Sequence, residues 1–203
     1  MNKSGTIFLT STGLSSKNVY DKFKEIADSK SLKKVVIITT ASSDKENNQY
    51  SQLALSQLKS AGFDVLDFYD FENEGLKDLS QYDVIYVCGG NTFKLMKFAK
   101  EMNFNKEVES LLKRDGIYIG VSAGSLIVSP SIQIANEIHP DINEVGLTDF
   151  SGFNTIDFIV FPHYSAEFEE EIKLFEVKNN VKVERLTNSQ AILVKDGEKT
   201  LIE

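Results

Sequence analysis

The chain has 203 residues, 41% of them hydrophobic, enough to fill one core and bury roughly 70% of the surface the unfolded chain exposes. Twenty-two Lys and Arg stand against 30 Asp and Glu, a formal charge of -8, which argues against a general nucleic-acid binder because such a protein needs a concentrated basic face. The single cysteine, Cys88, excludes an intrachain disulfide framework and a multi-cysteine metal site.

In chain order, Thr6–Thr10 reads as a short strand, and Val19, Phe23 and Ile26 then recur at helical spacing. Residues 34–40 are β-branched on successive positions, the pattern of a strand covered on both faces. Residues 42–49 read as loop. Ala54, Leu58 and Ala61 stripe a second helix that Gly62 can end. Strands are predicted over 64–68 and 83–87, the latter ending at Cys88-Gly89-Gly90. Leu95, Ala99 and Met102, then Val108, Leu111 and Leu112, stripe two helices, with Asn91 or Thr92 and Asn105 as N-caps.

Residues 116–120 form a strand that runs into Ser122-Ala123-Gly124. The stretch 130–153 is mixed and predicted to run over the surface. Residues 157–161 are a strand stopping at Pro162-His163, and Phe168, Ile172 and Phe175 stripe a helix with acids in its first turns. Residues 181–186, Ala191–Lys195 and 200–203 read as strands, the last two joined through Asp196-Gly197 as a hairpin. Helices between apolar strands predict an α/β three-layer sandwich with a mostly parallel central sheet. No repeat or linker divides the chain, so residues 1–203 are read as one domain. No signal-like apolar segment opens the chain and no apolar run reaches the ~20 residues that cross a bilayer. A cytoplasmic protein without membrane partner is expected, and its oligomeric state is left open.

Ligands of such sheets gather at the carboxyl ends of the strands. Three of those ends carry unusual chemistry: Gly89-Gly90, Ser122 and His163. Gly120-Val121-Ser122-Ala123-Gly124 has the spacing of a nucleophile elbow, where a tight strand-to-helix turn lifts the serine clear. The Ala123 N–H then points where an oxyanion forms at a helix N-terminus. The plain alternative is a serine N-cap in a glycine-rich turn. A serine hydroxyl needs a base, and the chain has two histidines. His163 ends a strand predicted on the same crest of the sheet as Ser122, and it is read as the base. His139, before Pro140, is read as solvated.

Glu137 is favoured to orient the imidazole, with Asp157, Asp141 and Glu144 as competitors. Gly89 and Gly90 let backbone N–H groups approach a ligand and would supply a second oxyanion donor. Cys88, closing an apolar strand, is read as buried and inert. The histidines lack metal-ligand spacing, and no cofactor is implied.

Val87-Cys88-Gly89-Gly90-Asn91-Thr92, Tyr118-Ile119-Gly120-Val121-Ser122-Ala123-Gly124-Ser125 and Phe161-Pro162-His163-Tyr164, in that order, resemble the peptidase E family of serine dipeptidases. The resemblance runs across nearly the whole chain. It implies a class I glutamine amidotransferase-like, flavodoxin-like fold, with Ser122 as nucleophile, His163 as base, and the Gly89-Gly90 region with the Ala123 N–H as oxyanion hole. The implied reaction is hydrolysis of a short peptide near its free amino terminus. Two departures stand out. Glu137 falls where members of the family carry a shorter aspartate, and Asn188 offers an amide where some accounts place a carboxylate. Where aspartyl dipeptidases carry arginines after the histidine, this chain has Glu167, Glu169, Glu170 and Glu171. A strict Asp-Xaa preference is therefore not expected. An esterase or amidase using the same pair is the nearer alternative, and a binding protein retaining the fold the more distant one.

Overall fold

The computed structural model describes residues 5–75, 77–138 and 140–203; the reading of His139 lies outside the described residues. Strands β1 (Thr6–Thr10), β2 (Lys34–Ile38), β3 (Val65–Tyr69), β4 (Val84–Val87) and β5 (Ile117–Val121) alternate with helices α1 (Lys17–Ser29), α2 (Gln49–Ser60), α3 (Thr92–Glu101) and α4 (Phe104–Lys113). After β5 come two single-turn helices, α5 (Ala123–Leu126) and α6 (Ile134–Glu137). Then follow β6 (Ile159–Pro162), α7 (Glu169–Asn179), β7 (Val183–Leu186), β8 (Ala191–Lys195) and β9 (Glu198–Ile202).

The central sheet has seven strands in the order β3-β2-β4-β5-β1-β8-β9. The first five are mutually parallel; β8 and β9 add an antiparallel hairpin. Successive residues of the inner strands serve opposite faces, which is why their sequences show little polar alternation. Ile7 and Leu9 of β1, with Val36, Ile38, Ile85, Val87 and Tyr118, face the core under α3, α4 and α7. Phe8, with Val35, Ile37, Val84, Tyr86, Ile117 and Ile119, faces the core under α1 and α2. The three layers match the fold read from the sequence.

Two local expectations are corrected. Strand β6 does not join the central sheet: it pairs in parallel with β7 as a separate two-stranded sheet, because the place beside β1 is taken by β8. Helix α4 starts at Phe104, with Asn103 in the left-handed region (φ 52°) as its flanking residue, so Asn105 lies inside the helix rather than capping it. At α3, Asn91 is the cap, its side chain accepting the Lys94 N–H.

Candidate active site

The carboxyl end of β5 turns directly into α5 at Ser122, whose backbone is forced to φ 49° and ψ -108°, a region costly for a residue with a side chain. The surroundings hold it there. The Ser122 N–H donates to the Thr10 carbonyl at 2.8 Å. Fully buried Ser125 accepts the Thr10 N–H at 2.9 Å and lies 2.8 Å from the Gly120 carbonyl, tying the turn to β1. The flanking glycines are a steric requirement: a Cβ on Gly120 would sit 2.5 Å from the Gly124 carbonyl oxygen, and one on Gly124 2.5 Å from that of Val87.

His163 follows β6 and has a left-handed backbone of its own (φ 57°). It reaches Ser122 from the small sheet, not from the central one. The anchor is the loop after β1. Ser11 Oγ accepts the His163 N–H at 3.0 Å and donates to the Leu186 carbonyl at 2.8 Å, while Thr12 Oγ1 donates to the Asn188 carbonyl at 2.7 Å. This brings His163 Nε2 to 3.0 Å from Ser122 Oγ and His163 Nδ1 to 2.7 Å from Asn188 Oδ1. A carbonyl oxygen only accepts, so Nδ1 carries the proton and Nε2 is left to accept from the serine hydroxyl.

Glu137, favoured from the sequence, makes no hydrogen bond to the ring. Its carboxylate accepts from Gln133 Nε2 at 2.6 Å and pairs with Lys178 Nζ at 2.9 Å, and these two partners hold its carboxyl below the usual glutamate range. With both ring nitrogens of His163 facing Ser122 and Asn188, Asp157, Asp141 and Glu144 make no hydrogen bond to it either. Asp141 instead accepts the Thr92 N–H at 2.7 Å at the start of α3. In the sequence Asn188 stands out only as an amide where the resemblance suggests a carboxylate; Ser11 and Thr12 carry a signal of their own, a polar run straight after a buried strand.

Gly89 packs beside the serine, where a Cβ would lie 3.1 Å from the Ser122 Cβ and 3.9 Å from its Oγ. Two clefts meet at Ser122, His163 and Gly90. The segment 143–153 lines neither of them. Cys88 lies at the floor of the larger cleft, where burial pushes its thiol up to about 11. Among the described residues no group of three or more His, Cys, Asp or Glu could hold a metal, and no helix is long and apolar enough to cross a membrane.

The family model of peptidase family S51 matches residues 7–202. An uncharacterized peptidase of Listeria monocytogenes serovar 1/2a is 31% identical over 199 residues, 95% of each chain. A peptidase E of Nostoc sp. is 27% identical over 169 residues, 81% of this chain and 67% of its own. A crystal structure from Listeria monocytogenes EGD-e, described as a peptidase E protein, superposes with a TM-score of 0.78 at 29% identity, covering 97% of each chain. A peptidase from an acI-B1 Actinobacterium shares the fold, with a TM-score of 0.69 at 18% identity. A chain matched over nearly its whole length in this way belongs to peptidase family S51.

Proposed function

We propose that the chain acts as a single-domain serine peptidase of dipeptidase type, hydrolysing short peptides next to a free amino terminus. The observation that carries this reading is the 3.0 Å approach of His163 Nε2 to Ser122 Oγ at a strained strand-to-helix turn. That distance lies within hydrogen-bond reach of nucleophile and base.

In the first step Ser122 Oγ attacks the scissile carbonyl carbon while His163 Nε2 takes the hydroxyl proton. The tetrahedral oxyanion is received by the Ala123 N–H at the start of α5 and by the backbone N–H groups of Gly89-Gly90, two residues that line the larger cleft with Ser122. Donors fixed in advance at the developing charge lower the barrier without reorganising. The protonated imidazole then gives its proton to the leaving amine, the C–N bond breaks, and an acyl-enzyme remains. Water, deprotonated by the same ring, attacks the acyl carbon; collapse frees the carboxylic acid and returns the proton to Ser122.

Asn188 acts as a positioning residue, keeping the ring in the tautomer that accepts from serine. It brings no charge to the imidazolium, which distinguishes this site from a Ser-His-carboxylate triad. The test is release of free amino acids from a panel of dipeptides by the wild type beside Ser122→Ala. Turnover abolished by the substitution is expected. Turnover that survives it sinks the reading, and so does a folded wild type that cleaves no member of the panel.

A further inference from the structure

The two clefts differ in chemistry. The smaller, about 510 Å³, is walled by Leu126, Ile134, Ile138, Phe161 and Phe168 and carries the carboxylates of Asp141 and Glu167. The larger, about 840 Å³, carries no charged side chain: neutral hydroxyls and amides such as Asn48, Ser51 and Asn91 share its lining with Ala41, Leu53 and Val121, and Ser42 adds a buried Oγ with no partner among the described residues. No lysine or arginine lines either cleft. Cations on the neighbouring elements are committed elsewhere: Arg185 to Glu169 and Glu176, Lys178 to Glu137, Lys94 to Glu72.

A substrate carboxylate entering the smaller cleft would lose water and meet two more carboxylates. An ammonium group there gains a partner, and an apolar side chain gains a wall of buried hydrocarbon. Of the two acids, Asp141 is the fixed one. Its Oδ2 is held by the Thr92 N–H at 2.7 Å, and its Oδ1 makes no hydrogen bond to a described residue. Glu167 is exposed, with Oε1 engaged by the Ser165 hydroxyl.

Resting on the peptidase reading above, we propose that the smaller cleft receives the amino-terminal residue of the substrate, selecting an uncharged apolar side chain and binding the free ammonium group at Asp141. The preferred substrates are then peptides that begin with a Leu- or Phe-like residue. The neutral cleft takes the leaving side.

Binding to the Ser122→Ala protein, measured by calorimetry, separates recognition from turnover. Leu-Ala is expected to bind at least ~10-fold more tightly than Asp-Ala, Lys-Ala or N-acetyl-Leu-Ala, a discrimination of the size one side chain commonly gives. Adding Asp141→Asn should weaken Leu-Ala and leave N-acetyl-Leu-Ala unchanged. Adding Glu167→Lys at an exposed position, where folding is not at risk, should narrow the gap between Leu-Ala and Asp-Ala. Asp-Ala or Lys-Ala binding as tightly as Leu-Ala overturns the proposal; so does an N-acetyl peptide binding equally well, or no binding by any of the four. Turnover by the wild type reads the other question. Leu-Ala bound in this order but never cleaved overturns the peptidase reading alone, while Ser122-dependent cleavage with Asp-Ala preferred overturns this inference alone.

Discussion

Removing the side chain that faces His163 Nδ1 tests the orienting role of Asn188 against that of Glu137. In the resting site the Asn188 Oδ1 bond is a neutral one of 2.7 Å, worth about 1 kcal/mol net. When the ring takes the serine proton the same bond becomes charge-assisted, worth about 1.5–3 kcal/mol. Asn188→Ala loses the resting bond as well, so the barrier rises only by the difference, about 0.5–2 kcal/mol, and kcat should fall about 2- to 30-fold at 1.36 kcal/mol per decade. KM should change little, since the amide bonds the ring and not the substrate. Asn188→Asp places a full charge roughly 4 Å from the developing imidazolium. With an effective dielectric constant between 20 and 80 that is about 1–4 kcal/mol. Asn188 is exposed, so the lower end applies and a rise in kcat of roughly 3- to 10-fold is expected. Glu137→Gln, which alters a carboxylate held by Gln133 and Lys178, should leave kcat unchanged. The assay is steady-state hydrolysis of the best dipeptide, with circular dichroism to confirm folding. A large loss in Glu137→Gln with Asn188→Ala near wild type would refute the reasoning.

Other outcomes follow from the same geometry. Gly124→Ala forces a Cβ to 2.5 Å from the Val87 carbonyl oxygen; overpacking of this kind costs about 1–3 kcal/mol, a fall in Tm of about 2–10 °C in thermal melts, and an unchanged Tm would contradict the close packing. Ser125→Ala leaves the buried Thr10 N–H without its acceptor, at a cost of about 1–3 kcal/mol; urea midpoints equal to wild type would show that this tie does not hold β1 to the turn. Arg185 holds Glu169 and Glu176 below the ordinary value of 4.5. The stability they contribute is therefore present above that pH and lost as pH falls through their depressed values. Arg185→Met should flatten the fall in stability from pH 5 to pH 2, and an unaltered slope rules out this pair as a source of acid sensitivity. Burial keeps the Cys88 thiol up at about 11, so alkylation by iodoacetamide at pH 8 should be slow until denaturant is added; rapid reaction in the native protein would contradict the burial.

The parts of this fold that were legible in the sequence are those set by local physics. Strands β1, β2, β4 and β5 read correctly because burial on both faces leaves runs of β-branched and aromatic residues that little else explains. The turn at Ser122 was legible because two glycines two residues either side of a serine answer a steric need, met here as contacts of 2.5 Å. What stayed hidden depends on partners distant in the chain. The run ahead of Pro162 looks the same whether its strand joins the central sheet or pairs with β7; only the β8–β9 hairpin, placed beside β1, decides it. Glu137 has suitable chemistry and chain order to face a histidine, yet a lysine on α7 claims it, and no local pattern announces an ion pair between two helices. Asn188 is the converse case: it is neutral, and only its place at 2.7 Å from His163 Nδ1, set by the fold, marks it. An acceptor at 2.7 Å from Nδ1 selects the imidazole tautomer whether or not it is ionised. A neutral acceptor should support turnover at a lower rate than a carboxylate, which makes the response to Asn188→Asp the sharpest reading of how much of this site's rate comes from orientation and how much from charge.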